Sequence, residues 1–282
     1  MPDLSGEHIQ AHVAAALAED IGEGDVTTNA LVDAQRRCQG HIVSREPLNY
    51  CGQDLIETVF QRIDAEAVIT HFHSDGDEVP AGAIIATIDA SARALLTGER
   101  TALNYAQRLS GVATQAARYV AAVSGTGVLL LDTRKTTPGW RDLEKYAVQC
   151  GGARNHRHGL DDMVMIKDNH LAALQGNNRI TSAIERCREA HPDLKIEVEA
   201  DTPIQARQAA ESGADIILLD NMTLDEIRES VTLINGRSQI EVSGGVTLDT
   251  IRDIAQTGVQ YISVGALTHS ATSVDIALDF SL

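Results

Sequence analysis

The chain of 282 residues has only four cysteines, Cys38, Cys51, Cys150 and Cys187, and no two of them stand in a C-x-x-C pair. That spacing offers neither a zinc module nor a disulfide framework, so the thiols are expected to be reduced and packed. Long hydrophobic runs are missing as well: nothing approaches the roughly 20 apolar residues that a membrane helix needs. The opening stretch MPDLSGEHIQAHVAAALAED carries acids early and no basic flank before an apolar run. It argues against a signal peptide and makes the cytoplasm the expected location. No G-x-G-x-x-G follows a candidate strand, so a dinucleotide fold loses its main signature. Positive charge is scarce: 23 Lys and Arg face 40 Asp and Glu, a formal net charge of −17. Such a chain repels nucleic acid and anionic membrane surfaces at long range.

What positive charge there is gathers in one place. Between Asp132 and His170, seven Lys or Arg stand against six acids, so this stretch is net +1 while the remaining 243 residues carry −18. With Arg100 ahead of it, this cationic group points to small, multiply anionic ligands. Guanidinium forks suit carboxylate and phosphate oxygens, and Lys adds compact point charges. The alternative is a solvated surface on which Arg141, Lys145 and Arg154 pair with Glu144, Asp161 and Asp162.

The residue pattern divides along the chain. Apolar positions at Ile9, Val13, Ala16 and Leu17 predict a helix over Leu4 to Asp20, broken by the loop GEGDVTT. Strands at HIVSRE, AVITHFH and AIIATID and a helix at DLIETVFQRI make the first third a small α+β domain. Two Ala- and Leu-rich helical segments follow, SARALLTGERTALNYAQRLS and VATQAARYVAAVSG. Then short apolar strands, VLLLD, MVMIK, IEVEA, IILLD, IEVSG and YISVG, alternate with helical stretches. The last five strand ends, Lys167, Glu199, Asp220, Ser243 and Gly265, are spaced by 32, 21, 23 and 22 residues. Strands apolar on nearly every residue are covered on both faces, which favours a parallel sheet with outer helices closing into an α/β barrel. A doubly wound open sheet is the alternative.

In such barrels the active site lies at the C-terminal ends of the strands. Here those ends are polar: Asp132 to Lys135, Lys167 with Asp168, Glu199, Asp220 with Asn221, and Ser243 to Gly245, with Gly265 closing the last. Singly, each reads equally as a turn residue or helix cap. Together they outline a site. SGG and VGA offer bare backbone whose N–H groups can seat phosphate, or glycines that only permit tight turns. His156 lacks a second ligand at helical metal spacing and reads as a hydrogen-bond donor to an anion or as a structural histidine. Glu199 and Asp220, on neighbouring strands, can hold Mg²⁺ or sugar hydroxyls, face a developing cation, or cap helices.

The segments LLTGERTALNYAQRLSGVAT, LLDTRKTTPGWR, EKYAVQCGGARNHRHGLDDMVMIKDNH, IEVEA, IILLDNM, SGG and YISVGALTHS, in this order and spacing, resemble the quinolinate phosphoribosyltransferase family along almost the whole chain. The resemblance implies a mixed α/β N-terminal domain followed by an incomplete, open α/β barrel. The expected division is 1–112 for the first domain, 113–270 for the barrel, and a C-terminal helix over 271–282 packing back on the first domain. It implies joining of quinolinate to phosphoribosyl pyrophosphate, giving nicotinate mononucleotide, pyrophosphate and CO₂ for NAD synthesis. Mg²⁺ would accompany the donor, with no organic cofactor. Homodimers would share their active sites, with higher assembly left open. On this resemblance Arg100 reaches the neighbouring subunit's site, Arg134, His156, Arg157 and Lys167 surround the quinolinate carboxylates, and Thr133 is a further substrate-binding residue. Lys135 faces the donor phosphates and, with Glu199 and Asp220, carries catalysis. Glu199 and Asp220 also bind the ribose and Mg²⁺ region, and Ser243, Gly244 and Gly245 with Val264, Gly265 and Ala266 cradle phosphate. One departure is Ala153, in the place of a glycine usual before Asn155.

Two other functions fit the residues: a related transferase with a different acceptor, and a non-catalytic barrel that senses phosphorylated metabolites. A Schiff-base aldolase using Lys135 or Lys167 is a weaker rival.

Overall fold

The structure is a computed structural model that describes Leu4 and residues 6–281. Helix α1, Gly6–Ile21, buries Ile9, Val13 and Leu17, one stripe of a helix. The loop expected at GEGDVTT ends early, because the Asp25 carboxylate accepts the Thr28 amide at 2.9 Å and caps a short helix α2, Val26–Leu31. Then come β1 (Arg37–Ser44), β2 (Leu48–Asn49), α3 (Gln53–Ile63), β3 (Val68–His71), β4 (Glu78–Val79) and β5 (Ile84–Ser91). The two expected helical segments after β5 are one continuous helix, α4, Ala92–Ala122. Gly111 does not break it. A Cβ there would collide with the Thr272 carbonyl oxygen, so the glycine serves a close approach of two backbones. The boundary expected after residue 112 lies inside this helix.

The alternating part follows as β6 (Leu129–Leu131), α5 (Arg141–Cys150), β7 (Val164–Ile166), α6 (Asp168–Ala172), α7 (Arg179–Ala190), β8 (Ile196–Ala200), α8 (Pro203–Glu211), β9 (Ile216–Asp220), α9 (Leu224–Ile234), β10 (Gln239–Ser243), α10 (Ile251–Ala255) and β11 (Tyr261–Ser263). The chain closes with α11 (Ala266–His269) and β12 (Ile276–Ser281). Caps mark the helix starts: Thr202 accepts from the Gln205 amide ahead of Pro203, and Thr223 with Glu226 forms a reciprocal capping box.

The chain separates into two compact units. The first comprises residues 1–117, 137–152 and 267–282. Its main sheet is antiparallel, in the order β12-β1-β5-β3. The C-terminal helix expected over 271–282 is therefore corrected to a strand, β12, paired with β1. The physical reason is a period of two: Ile276 and Leu278 are buried, Asp279 is exposed, and the free edge of β1 supplies the hydrogen bonds. Leu282 lies outside the described residues. This unit also overturns the solvated pairing expected for Glu144 and Lys145. Their residues are 0 % and 1 % exposed, and Glu144 takes Arg108 at 2.7 Å.

The second unit comprises residues 118–136 and 153–266. Its six strands are parallel, in the order β6-β11-β10-β9-β8-β7, an open α/β barrel. Val198, Ile217, Leu219 and Val242 are buried in these strands, and each such side chain contributes about 1.5–3 kcal/mol when fully buried. The β6 edge is occupied by the segment after α5. Arg154 N donates to Leu130 O at 2.9 Å, and Asp132 N donates to Arg154 O at 3.0 Å. Ala153 is buried there and keeps an ordinary negative φ, so its methyl group fits where glycine was expected.

Candidate active site

Parallel strands of this unit all end on one side, and their last residues open onto a cavity of about 630 Å³. Each strand end adds to it. After β6 stand Thr133, Arg134 and Lys135, and the β6-edge segment brings His156 and Arg157. The end of β7 adds Lys167, β8 adds Glu199, and the end of β9 adds Asp220 and Asn221. After β10 come Ser243, Gly244 and Gly245. All twelve residues belong to the second unit. Val264, Gly265 and Ala266 are not on the cavity wall; the Val264 amide instead ties β11 to β6 by donating to Leu131 O at 3.0 Å. Arg100 lies elsewhere, exposed on α4 in the first unit.

Two guanidinium groups and two ammonium groups thus face one space. Burial, and then the nearby Arg134 charge, pull the Arg157 pKa below its ordinary value. Arg157 Nη1 donates to Met163 O at 3.3 Å, whereas Arg134 Nε is buried with no hydrogen-bond partner. An orphaned buried donor in a cationic pocket is what an anionic ligand satisfies. Along the same cavity Lys167 Nζ hydrogen-bonds Glu199 Oε2. Asp220 accepts from Asn221 Nδ2 at 2.8 Å, and burial, followed by the Glu199 charge, raises its pKa. The carboxylates of Glu199 and Asp220 are oxygen donors suited to a hard cation such as Mg²⁺ or to ribose hydroxyls.

Backbone shapes the rest of the wall. Asn221 sits in the left-handed region, φ 54°, and its amide donates to Ser243 O at 3.0 Å. Its side chain occupies the space where a Cβ of residue 244 would point, so only glycine fits at Gly244, φ +89°. Gly244 and Gly245 line the cavity beside it.

His156 is placed differently from its expected role as an anion donor. Its backbone amide donates to Asp132 Oδ1 at 2.8 Å, fixing the loop to β6. Its Nε2 lies 3.1 Å from Glu197 Oε2 and 3.3 Å from Glu241 Oε2, and its Nδ1 accepts the Arg157 amide at 2.7 Å. Burial depresses the ring's basicity, but the two carboxylates outweigh it and push the pKa up to about 10. The Arg157 amide opposes a second proton. While that bond is made Nδ1 accepts the Arg157 amide, and the Nε2 proton lies between the two carboxylates.

The sequence reading missed Glu197 and Glu241, as well as the wall residues Met165, Leu218 and Ser263. A signal for the two acids is present: each lies in the interior of an apolar strand, at the second position of IEVEA and IEVSG, where ionised side chains are rare without a partner. Attention to strand ends passed over them.

Comparison with known proteins agrees along the chain. The quinolinate phosphoribosyl transferase N-terminal domain family matches residues 25–110, and the C-terminal domain family matches residues 112–279. A probable nicotinate-nucleotide pyrophosphorylase [carboxylating] of Bacillus subtilis is 42% identical over 265 residues, covering 94% of this chain and 90% of the relative. The chloroplastic nicotinate-nucleotide pyrophosphorylase [carboxylating] of Arabidopsis thaliana is 38% identical, covering 96% and 82%. The solved nicotinate-nucleotide pyrophosphorylase of Francisella tularensis superposes with a TM-score of 0.92 at 38% identity, over 98% of this chain and 96% of that one. Human nicotinic acid phosphoribosyltransferase, at 13% identity and a TM-score of 0.62, shares the fold alone. With both domains matched and the strand-end cavity formed in the second unit, the chain belongs to the quinolinate phosphoribosyltransferase family.

Proposed function

We propose that this protein transfers the phosphoribosyl group of phosphoribosyl pyrophosphate to quinolinate with decarboxylation. The products are nicotinate mononucleotide, pyrophosphate and CO₂, in NAD biosynthesis. One observation carries the reading: a single cavity joins Arg134, Lys135, Arg157 and Lys167 with Glu199 and Asp220. The acceptor is a dicarboxylate and the donor a phosphate ester whose ribose becomes cationic, so the reaction needs both signs of charge side by side.

In the reaction the pyridine nitrogen attacks C1′ of the ribose as the bond to pyrophosphate breaks, and the electron pair leaves with pyrophosphate. Glu199 and Asp220 face the positive charge that develops on the ribose. Lys135 and the Gly244 and Gly245 amides neutralise the donor phosphates. The alkylated ring is a cation and accepts the electron pair of the C2–carboxylate bond as CO₂ departs. A proton then fills C2. Arg134 and Arg157 hold the carboxylates in the attacking geometry, and no Schiff base is required. Lys167 changes partner, from Glu199 in the free enzyme to a substrate oxygen. Mg²⁺ would sit with the pyrophosphate donor before Glu199 and Asp220, supplying charge neutralisation to the leaving group.

The proposed setting is a cytoplasmic homodimer with shared active sites, Arg100 of one subunit completing the acceptor site of the other. Among the described residues no helix is long and apolar enough to cross a membrane. The deciding assay compares quinolinate with nicotinate as acceptor and reads CO₂ release. Quinolinate-dependent CO₂ supports the proposal. Its absence, or turnover of nicotinate alone, overturns it. A sensing barrel predicts ligand-induced thermal stabilisation without turnover.

A further inference from the structure

Glu197 on β8 and Glu241 on β10 have side chains 0 % and 1 % exposed, and both point at the same imidazole nitrogen. Apart from that imidazole, none of their four carboxylate oxygens has a hydrogen-bond partner. A fold gains little from such a pair. Apolar side chains of the same volume would pack without the desolvation cost, so two buried carboxylates on one ring mark a site rather than a core. In β/α barrels alternate strands fill one interior layer, which is how β8 and β10 meet across β9.

We propose that Glu197 and Glu241 are positioning residues for the acceptor half of the site. They share the Nε2–H of His156, lock the plane of its ring, and through the amide bond to Nδ1 set the backbone that carries the Arg157 guanidinium into the cavity. This rests on the transferase reading of that cavity. The Glu197 charge, and then that of Asp162, also favours the Arg157 cation against burial and against Arg134. The Glu197–Glu241 pair thus lets two guanidinium groups and an imidazole occupy one small space before any substrate arrives.

The donor atoms of His156, Glu197 and Glu241 lie within 4.8 Å of one another, close enough for a metal ion. The hydrogen bond at Nδ1 argues for the clamp instead. A metal on Nε2 would place the ring proton on Nδ1, facing the Arg157 N–H across 2.7 Å, donor against donor.

The test uses the intact enzyme with Glu197 and Glu241 both changed to Leu, and separately both changed to Gln. The clamp predicts that the double Leu variant raises the KM for quinolinate at least tenfold. The KM for the phosphoribosyl donor stays within twofold, and the melting temperature does not fall. The double Gln variant, which retains oxygens to accept Nε2–H, recovers most of the loss. An unchanged quinolinate KM in the folded double Leu variant, or an equal rise in both KM values, overturns the proposal. Should that variant not fold, ¹⁵N NMR of the wild-type imidazoles decides, with the His156 signal identified by its loss in His156→Gln. A protonated Nε2 supports the clamp; an unprotonated Nε2 overturns it. Wild-type enzyme that releases no CO₂ from quinolinate sinks the transferase reading, whereas normal wild-type turnover with an unaffected double Leu variant sinks only the clamp.

Discussion

Lys167 and Glu199 are joined by a direct hydrogen-bonded ion pair across the adjacent strands β7 and β8, and the two partners differ in exposure, 42% for the Lys side chain and 10% for the Glu. The more exposed member is free to exchange its partner for a substrate oxygen. Lys167→Ala is expected to lower kcat/KM for quinolinate by about 10- to 150-fold, the equivalent of roughly 1.5–3 kcal/mol for one charge-assisted contact. Steady-state kinetics check it, and unchanged values would remove Lys167 from the acceptor site.

Arg157→Ala removes a second charge-assisted contact, with an expected loss again of about 10- to 150-fold. The Arg100→Ala chain should be impaired as well, for a different reason, since Arg100 is proposed to act in the neighbouring subunit. Mixing the two impaired chains is expected to restore part of the activity, because some hybrid dimers then contain one intact site. Failure to complement, with hybrids demonstrated by differently tagged chains, would refute the shared site.

Asp220 is predicted to trade stability for function. Burial, and then Glu199, hold its pKa above the ordinary carboxylate value, so the folded protein keeps this proton to higher pH than the unfolded chain does. Below the ordinary value of 3.8 both states are protonated and the group is neutral in its effect. As pH rises through that value toward the folded pKa, the unfolded state ionises first and folding is disfavoured. Asp220→Asn should therefore raise the melting temperature at neutral pH, with the gain shrinking on acidification, while transfer activity collapses. A lower melting temperature at pH 7 would contradict this.

Gly244→Ala forces a Cβ into the Asn221 side chain at a φ of +89°. Backbone strain of this kind costs about 1–3 kcal/mol. The expected result is a reduced melting temperature and a several-fold higher KM for the phosphoribosyl donor, with the quinolinate KM less affected. Equal kinetics in the variant would show that the amides after β10 do not seat phosphate.

Much of the second unit was legible in advance. Short strands apolar at nearly every position have to be covered on both faces, so IEVEA, IILLD and IEVSG announced a parallel sheet. The polar residue at each end then located the cavity, because parallel strands all end on one side. The N-terminal region was harder to read. The capped turn at Asp25 looked like a loop because six residues are too few to show a helical period, and Gly111 looked like a break because its packing partner, Thr272, lies far along the chain.

Sequence alone pointed to much of what lines the cavity: the cations Arg134, Lys135, Arg157 and Lys167, the acids Glu199 and Asp220, and the glycines after β10. Local periodicity and residue chemistry carry that information, and neither depends on distant contacts. Only the tertiary structure decided which partners those groups meet. Residues 276–281 became a strand rather than a helix because β1 offers a free edge, a fact written some 235 positions earlier in the chain. His156 likewise met two carboxylates because parallel strands bring Glu197 and Glu241 to one interior layer of the barrel. Its ring therefore meets two acids at the pocket wall, and burial makes that choice binding, since a charge removed from water must find its partner within reach.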